Sequence, residues 1–230
     1  IEKINNVAVA DISKLDAVTF AHGQKVNNQD VSLATDSMVL IEEQTIAFGT
    51  TDVGSITFDS GIDNTYDMFL FQFINIHAHT GDATDANFVW QCNKTTTEDY
   101  DDVYLHSSYA ASTHMEDDSG AAFGYDDQRD SPADGDASLT TDYAILSSFQ
   151  GTEDDEACSG EMYLHNLSDG SYSKPFHSIM TTNRYDDGTY TSETRGVIAY
   201  FGSTAIDDFN FKISTGNLSG TIKLWGWVIA

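Results

Sequence analysis

Residues 66–77 constrain the fold more than any other part of the chain, because both alternating faces of this segment are apolar. Period-two alternation is the pattern of a β-strand, and it places Phe69, Phe71 and Phe73 on one face. The opposite face receives three aliphatic side chains and a methionine: Met68, Leu70, Ile74 and Ile76. We therefore expect a strand covered on both sides, either inside a two-sheet sandwich or against a neighbouring subunit.

Shorter segments with strand patterns follow one another along the rest of the chain. They are residues 38–48, 55–58, 88–92, 103–109, 143–149, 160–167, 176–182, 191–201, 209–213 and 221–230. Turn signals such as Asp169-Gly170 and Asp187-Gly188 separate several of them. No segment has the period of an amphipathic helix, and the Asp-rich residues 116–142 are predicted to form a long surface loop. The pattern predicts an all-β antiparallel sandwich of the jelly-roll type.

An internal repeat marks the N-terminal segment. Lys3, Lys14 and Lys25 are eleven residues apart, and each is followed by an aliphatic residue and then by Asn or Asp. This repeat unit favours a short strand and a turn, and one such unit cannot bury its apolar face alone. We expect residues 1–35 to form a docking or oligomerisation arm before a jelly-roll domain of residues 36–230. The apolar contact residues of this arm are Ile4, Val7, Ile12, Leu15, Val18, Phe20 and Val26.

The charge balance restricts the partners. The chain has 37 acidic residues against 10 Lys and Arg, which gives a formal net charge of −27. Such a surface repels phosphate backbones and anionic lipid headgroups, so neither nucleic acid nor a membrane is expected as a partner. Two cysteines, Cys92 and Cys158, do not define a disulfide framework, and both are predicted to be core residues.

Two groups of side chains have the chemistry of metal ligands. His77 and His79 share a face of a strand and are followed by Asp82, as in a His-x-His metal motif, but the glutamate of that motif is absent. Asp99 and Asp101 lie in an acidic loop whose oxygens suit Ca²⁺. Since neither group completes a known ligand spacing, we expect no cofactor, with a structural Ca²⁺ as the alternative.

The chain has no catalytic signature. A G-x-S-x-G elbow, an H-E-x-x-H motif, a P-loop and a G-x-G-x-x-G turn are all missing from the sequence. Pairs of carboxylates carry no weight among 37 acidic residues, because chance pairs are unavoidable. The prediction is a protein that is not an enzyme, with no catalytic residue.

Several segments together resemble virion structural proteins of tailed bacteriophages, particularly marine ones. They are the K-aliphatic-N-x-V arm, F-x-F-I-N-I-H with T-x-A-x-F after it, G-E-M-Y-L-H-N-L with S-Y-S-K-P-F after it, and the closing G-N-L-S-G-T-I-K-L-W-G. The resemblance covers nearly the whole chain, and the closing segment is its most distinctive part. It transfers no catalytic residue to this sequence.

The resemblance implies a tail appendage, a fibre or a capsid-surface decoration, assembled from β-sandwich domains as a homotrimer. The expected partners are copies of the chain, other virion proteins and a host surface glycan, and the expected location is the surface of the particle. Trp225 and Trp227 would then build a core or an intersubunit seam. Receptor contact is expected from loop tyrosines, which stack on sugar rings: Tyr100, Tyr104, Tyr125 and Tyr185. The alternative is a monomeric carbohydrate-binding β-sandwich module with a structural Ca²⁺.

Overall fold

The described part of the chain consists of strands, turns and irregular segments, which confirms the prediction of an all-β protein. This computed structural model describes residues 3–4, 7–8, 25–26, 29–30, 38–47, 53–79, 86–94, 100, 105, 108–115, 117–125, 143–152, 155–183, 189–200 and 204–227. Within these ranges all strand pairing is antiparallel, as predicted. No helix long and apolar enough to cross a membrane occurs in them.

Sixteen strands are present in the described residues, and the first four form two short pairs. These are β1 (Lys3–Ile4), β2 (Val7–Ala8), β3 (Lys25–Val26) and β4 (Gln29–Asp30). The remaining strands are β5 (Met38–Ile46), β6 (Ser55–Phe58), β7 (Met68–Ala78), β8 (Ala86–Lys94), β9 (Ser108–Met115), β10 (Ala121–Tyr125), β11 (Ala144–Gln150), β12 (Cys158–His165), β13 (Lys174–Asn183), β14 (Thr189–Tyr200), β15 (Ile206–Ile213) and β16 (Leu218–Trp227).

These later strands form two sheets of unequal size. The large sheet has eight strands in the order β10-β9-β14-β13-β12-β7-β16-β5, and the small sheet has four in the order β11-β8-β15-β6. Strands β5 and β6, at one side of the two sheets, are linked because Gln44 Nε2 donates a hydrogen bond to the Thr57 carbonyl at 2.7 Å. At the other side the large sheet continues as β14, β9 and β10.

The repeat in the N-terminal segment coincides with the short strand pairs. β1 pairs with β2 and β3 with β4, and in each case two asparagines separate the paired strands in the sequence. Of the apolar residues assigned to docking, Ile4, Val7 and Val26 belong to these strands. Ile12, Leu15, Val18 and Phe20 lie outside the described residues, so an arm of residues 1–35 stays a prediction.

Aromatic rings hold the two sheets together. The Phe71 ring of the large sheet lies 5.2 Å from Phe58, 5.1 Å from Phe209 and 4.8 Å from Phe211, all of which belong to the small sheet. The Trp90 ring of β8 meets Phe176 of β13 at 5.2 Å in an edge-to-face arrangement. Such pairs add about 0.5–1.5 kcal/mol each beyond the burial of their area. Because they also prefer particular ring geometries, they fix the relative position of the two sheets as well as stabilising their contact.

A β-bulge in β7 changes one predicted assignment. Asn75 has a positive φ of 52°, and opposite it Gly220 has a φ of 125°, where an added Cβ would lie 2.6 Å from the Asn75 carbonyl oxygen. The bulge inserts one residue into the alternation. Ile76 therefore joins the core beside Phe73, whereas strict alternation put it on the opposite face with Met68 and Leu70. That part of the prediction was wrong.

A second correction concerns the predicted loop of residues 116–142. Residues 121–125 of this loop form β10, which pairs with β9 from Ala121↔His114 to Tyr125↔Ala110. The local sequence does not predict this strand, because Ala and Gly have low β-propensity and Asp-rich segments flank it. Pairing with the longer β9 supplies the hydrogen bonds that favour a strand there.

Replacing a core phenylalanine should lower the free energy of unfolding strongly, whereas replacing an exposed phenylalanine should hardly change it. Phe71 is 0% exposed, whereas Phe123 in β10 is 82% exposed. We expect Phe71→Ala to lower the free energy of unfolding by about 3–5 kcal/mol, because it leaves a cavity among the rings. Phe123→Ala should change it by less than about 0.5 kcal/mol. Urea denaturation followed by tryptophan fluorescence measures both, and comparable losses would contradict this description of the core.

Both cysteines are buried, as predicted from the sequence, and no disulfide bond joins them. Burial raises the pKa of the Cys92 thiol well above its ordinary value, so the reactive thiolate is suppressed. We expect neither thiol to react with an aromatic disulfide reagent in the native chain, and two to react after unfolding in guanidinium chloride. Rapid labelling of the native chain, or none after unfolding, would show the prediction to be wrong.

Candidate functional site

The outer face of the large sheet, turned away from the small sheet, carries a continuous group of aromatic, aliphatic and histidine side chains. We call this group the outer patch. It comprises Met38, Leu40, Met68, Leu70, Tyr163, His165, His177, Trp225 and Trp227. Five neighbouring strands contribute to it, namely β5, β16, β7, β12 and β13.

Strand register sets the order of these side chains. Directly opposed residues form one row that crosses the sheet: Leu40, Trp225, Leu70, Tyr163 and His177. A second row lies beside it: Met38, Trp227, Met68 and His165. Side chains that are directly opposed on adjacent strands have Cβ atoms about 4.5–5.5 Å apart, so the two rows make one contiguous surface.

The outer patch is covered at its centre and open at the β5 edge. Leu70 is only 7% exposed, although the small sheet packs on the opposite face, where the Phe71 ring contacts Phe58. Met38 and Leu40 at the edge are 44% and 42% exposed, and both tryptophans are half-buried. Neighbouring side chains therefore shield Leu70, while apolar surface remains open to solvent at one end.

Stacked rings lie on the β12 and β13 side of the patch. The Tyr163 and His177 rings stack at 4.8 Å with an angle of 8° between their planes, and the His165 ring lies 6.2 Å from His177 at 20°. Because the first separation matches the spacing of adjacent strands, the ring faces are turned toward each other across the sheet. The two ring faces that meet between Tyr163 and His177 are therefore not open to a ligand.

The environment shifts the pKa of two groups in this stack. The Tyr163 hydroxyl donates a hydrogen bond to Glu161 Oε2 at 2.8 Å, and this bond, followed by partial burial, raises the pKa of Tyr163. Burial, and then the neighbouring His177, lower the pKa of His165 below its usual value. Both shifts favour the neutral forms of Tyr163 and His165.

Polar groups follow the outer patch at the other end of the same face. Lys223 Nζ forms an ion pair with Glu43 at 3.2 Å, and the Thr45 and Thr221 hydroxyls share a hydrogen bond of 2.8 Å. Beyond them is an open pocket of about 360 Å³, lined by Thr45, Ile46, Ile74, Asn75, His77, Gly220 and Thr221. The apolar part of this face is thus bounded by a polar end.

The histidines predicted as metal ligands have other surroundings. His77 is buried near the end of β7 with its Nδ1 atom 2.9 Å from the Asn75 carbonyl oxygen, and His79 follows the strand. Asp82, Asp99 and Asp101 lie outside the described residues. In the parts of the chain that the structure covers, no three His, Cys, Asp or Glu side chains are grouped as a metal site requires.

Of the four predicted receptor tyrosines, only Tyr100 has described side-chain surroundings. It is partly buried on the outer side of the small sheet, where burial raises the pKa of Tyr100 to about 12 and its hydroxyl bonds with Thr57. Asn210 Nδ2 donates to the Thr57 hydroxyl at 2.8 Å, so Tyr100 belongs to a polar network. Tyr125 ends β10, its side chain not being described, and Tyr104 and Tyr185 lie outside the described residues.

Sequence reasoning singled out part of the outer patch and missed the rest. Trp225 and Trp227 were expected in a core or an intersubunit seam, and the structure places them on the outer face. Tyr163, His165 and His177 were not singled out. Alternation within β12, where Met162 and Leu164 are buried, indicates that Tyr163 and His165 share the opposite face.

Comparison of the chain with known proteins finds no matching family model, no similar curated protein and no similar solved structure.

Removal of His177 tests the electrostatics of the ring stack. We expect His177→Gln to raise the pKa of His165, because the neighbouring His177 ring no longer opposes protonation of His165. Since the folded pKa of His165 lies below its unfolded value of about 6.5, the wild-type chain loses stability as the pH falls through 6.5 toward the folded value. The variant should lose less over that range.

Proton NMR titration of the His165 ring measures this pKa directly. His114→Gln is the matched control, since His114 lies on β9 and pairs with Asp118 at 3.2 Å, outside the stack. The control should leave the pKa of His165 unchanged. A pKa that is the same in wild type and His177→Gln would refute the coupling between the two rings.

Proposed function

We propose that this chain is a non-enzymatic structural protein of a tailed-bacteriophage particle, assembled from identical copies as a tail appendage, a fibre or a capsid-surface decoration. The observation that carries the proposal is the outer patch. A chain with a net charge of −27 keeps an apolar group of side chains on an open sheet face. Such surfaces mark sites of protein association, because leaving them in water costs free energy.

The composition of the outer patch favours a protein partner over a sugar. Its exposed apolar members are Met38 and Leu40, whose side chains are flexible and have no ring face for a sugar to stack on. Tyr163 and His177 turn their ring faces toward each other. Aromatic residues and methionine are enriched in the cores of protein interfaces, which matches this mixture.

The finer parts of the proposal concern assembly. Residues 1–35 act as the arm that joins three copies, and the sandwich, which we take to be a jelly roll, faces solvent on the particle surface. The short strand pairs that contain Ile4, Val7 and Val26 support the arm, since each pair is too small to be stable without a partner surface. Other virion proteins bind beside it, and a host glycan is the ligand of the appendage form.

The mass of the purified chain in solution tests this assembly. We expect sedimentation velocity to give a species of about three times 25.2 kDa, or a multiple of that mass, for the full chain. A variant without residues 1–35 should lose that species while keeping its circular dichroism spectrum, because the aromatic core lies within residues 56–224.

A second variant separates the patch from the arm. Trp227→Glu places a charge in the half-buried part of the outer patch, and Lys223→Glu, at the polar end of the same strand, is its control. We expect only Trp227→Glu to weaken assembly. A full chain that is monomeric at all concentrations and binds glycans would contradict the proposal and favour the carbohydrate-binding module.

A further inference from the structure

A second exposed region lies at the opposite edge of the large sheet from β5. The hairpin of β9 and β10 extends this sheet past the small sheet, and we call it the wing. In β10 the residues from Ala121 to Gly124 are exposed on both faces, and Phe123 is 82% exposed. A strand open on both faces gains little from burial within its own chain.

The two strands of the wing, Ser108–Met115 and Ala121–Tyr125, contain no Asp, Glu, Lys or Arg. Charged residues flank them: Asp117 and Asp118 in the turn, Asp126 directly after β10 in the sequence, and Glu193 and Arg195 on the neighbouring strand β14. Two chains that each carry −27 repel each other wherever their acidic surfaces meet. An uncharged strand is therefore a place where a second copy can approach, whereas a basic partner would be drawn to the acidic surface elsewhere.

The edge of the wing is also open to hydrogen bonding. Within the described residues β10 pairs on one side only, with β9, so its other side presents backbone N–H and carbonyl groups. The opposite edge strand, β5, is tied to the small sheet through Gln44, and no described contact ties β10 in that way. Edge strands that contain neither proline nor charged residues can act as templates for pairing with a further strand.

We propose that the wing binds the wing of a second copy of this chain, with β10 antiparallel to β10 across a twofold axis. Antiparallel pairing of two identical strands is self-complementary, so one surface supplies both halves of the interface. The exposed Phe123 side chains of the two copies then lie near the axis and shield each other from water. This inference rests on the proposed function in that it takes copies of the chain as the partners.

Cross-linking through the wing tests the proposal. The variant Phe123→Cys places a thiol near the axis, and the native cysteines do not interfere because both are buried. The control is Tyr172→Cys, an aromatic position that is 66% exposed in the segment before β13. Under mild oxidation we expect covalent dimers of Phe123→Cys to form about tenfold faster than those of Tyr172→Cys, because opposed residues of paired strands approach within disulfide range.

A second variant tests the energetics with the full chain. Phe123→Asp brings two carboxylates together at the axis, and we expect it to weaken the wing-mediated association about tenfold or more, whereas Tyr172→Asp should not. Equal cross-linking rates at positions 123 and 172, or an unchanged association constant for Phe123→Asp, would overturn the proposal. A Phe123→Cys chain that cross-links only within itself would overturn it too.

The outcomes for the wing and for the arm can be told apart. Loss of the threefold mass on removal of residues 1–35 reports on the arm, whereas dimers linked through position 123 report on the wing. A trimer without such dimers would leave the proposed function standing and remove the wing interface. Dimers without a trimer would support the wing and contradict the trimeric arm.

Discussion

The packing of phenylalanine rings between the two sheets is the interaction on which the rest of the structure depends. Phe71 from the large sheet reaches Phe58, Phe209 and Phe211 of the small one, and edge-to-face geometry permits few alternative arrangements. Because these rings occupy the inner face of β7, the alternate residues Met68 and Leu70 must point outward. The apolar outer patch is therefore a direct result of a strand that is hydrophobic on both faces.

The fold class could be predicted from the sequence because its signal is local. Alternation around Phe69, Phe71 and Phe73 defines a strand whatever its neighbours are, and most of the predicted strands overlap strands in the structure. The bulge at Asn75 was not predictable, since it depends on the pairing of β7 with β12 and β16. Strand β10 was missed for the same reason, as Ala121 to Tyr125 form a strand through their pairing with β9.

The outer patch could be anticipated only in part. Trp225 and Trp227 were predicted from the sequence to lie in a core or an intersubunit seam, because large rings at alternate positions of a strand are usually buried. The stack of Tyr163 on His177 needs the register between β12 and β13, which no local pattern encodes. The role of each side chain is thus set by which strands are neighbours. That information is global, whereas hydrophobic alternation is local.

The bulge in β7 also limits how this chain can change during evolution. Asn75 and Gly220 face each other with positive φ values, and the register shifts toward β12 and β16 both occur at this level of the sheet. Deleting Asn75 would remove the bulge and leave Ile76 two positions after Phe73, still on the core face, whereas deleting Gln72 would turn Phe73 to the outer face. Length variation among descendants is therefore expected in the turns between strands and at the bulge itself, while the residue count on either side of the bulge stays fixed.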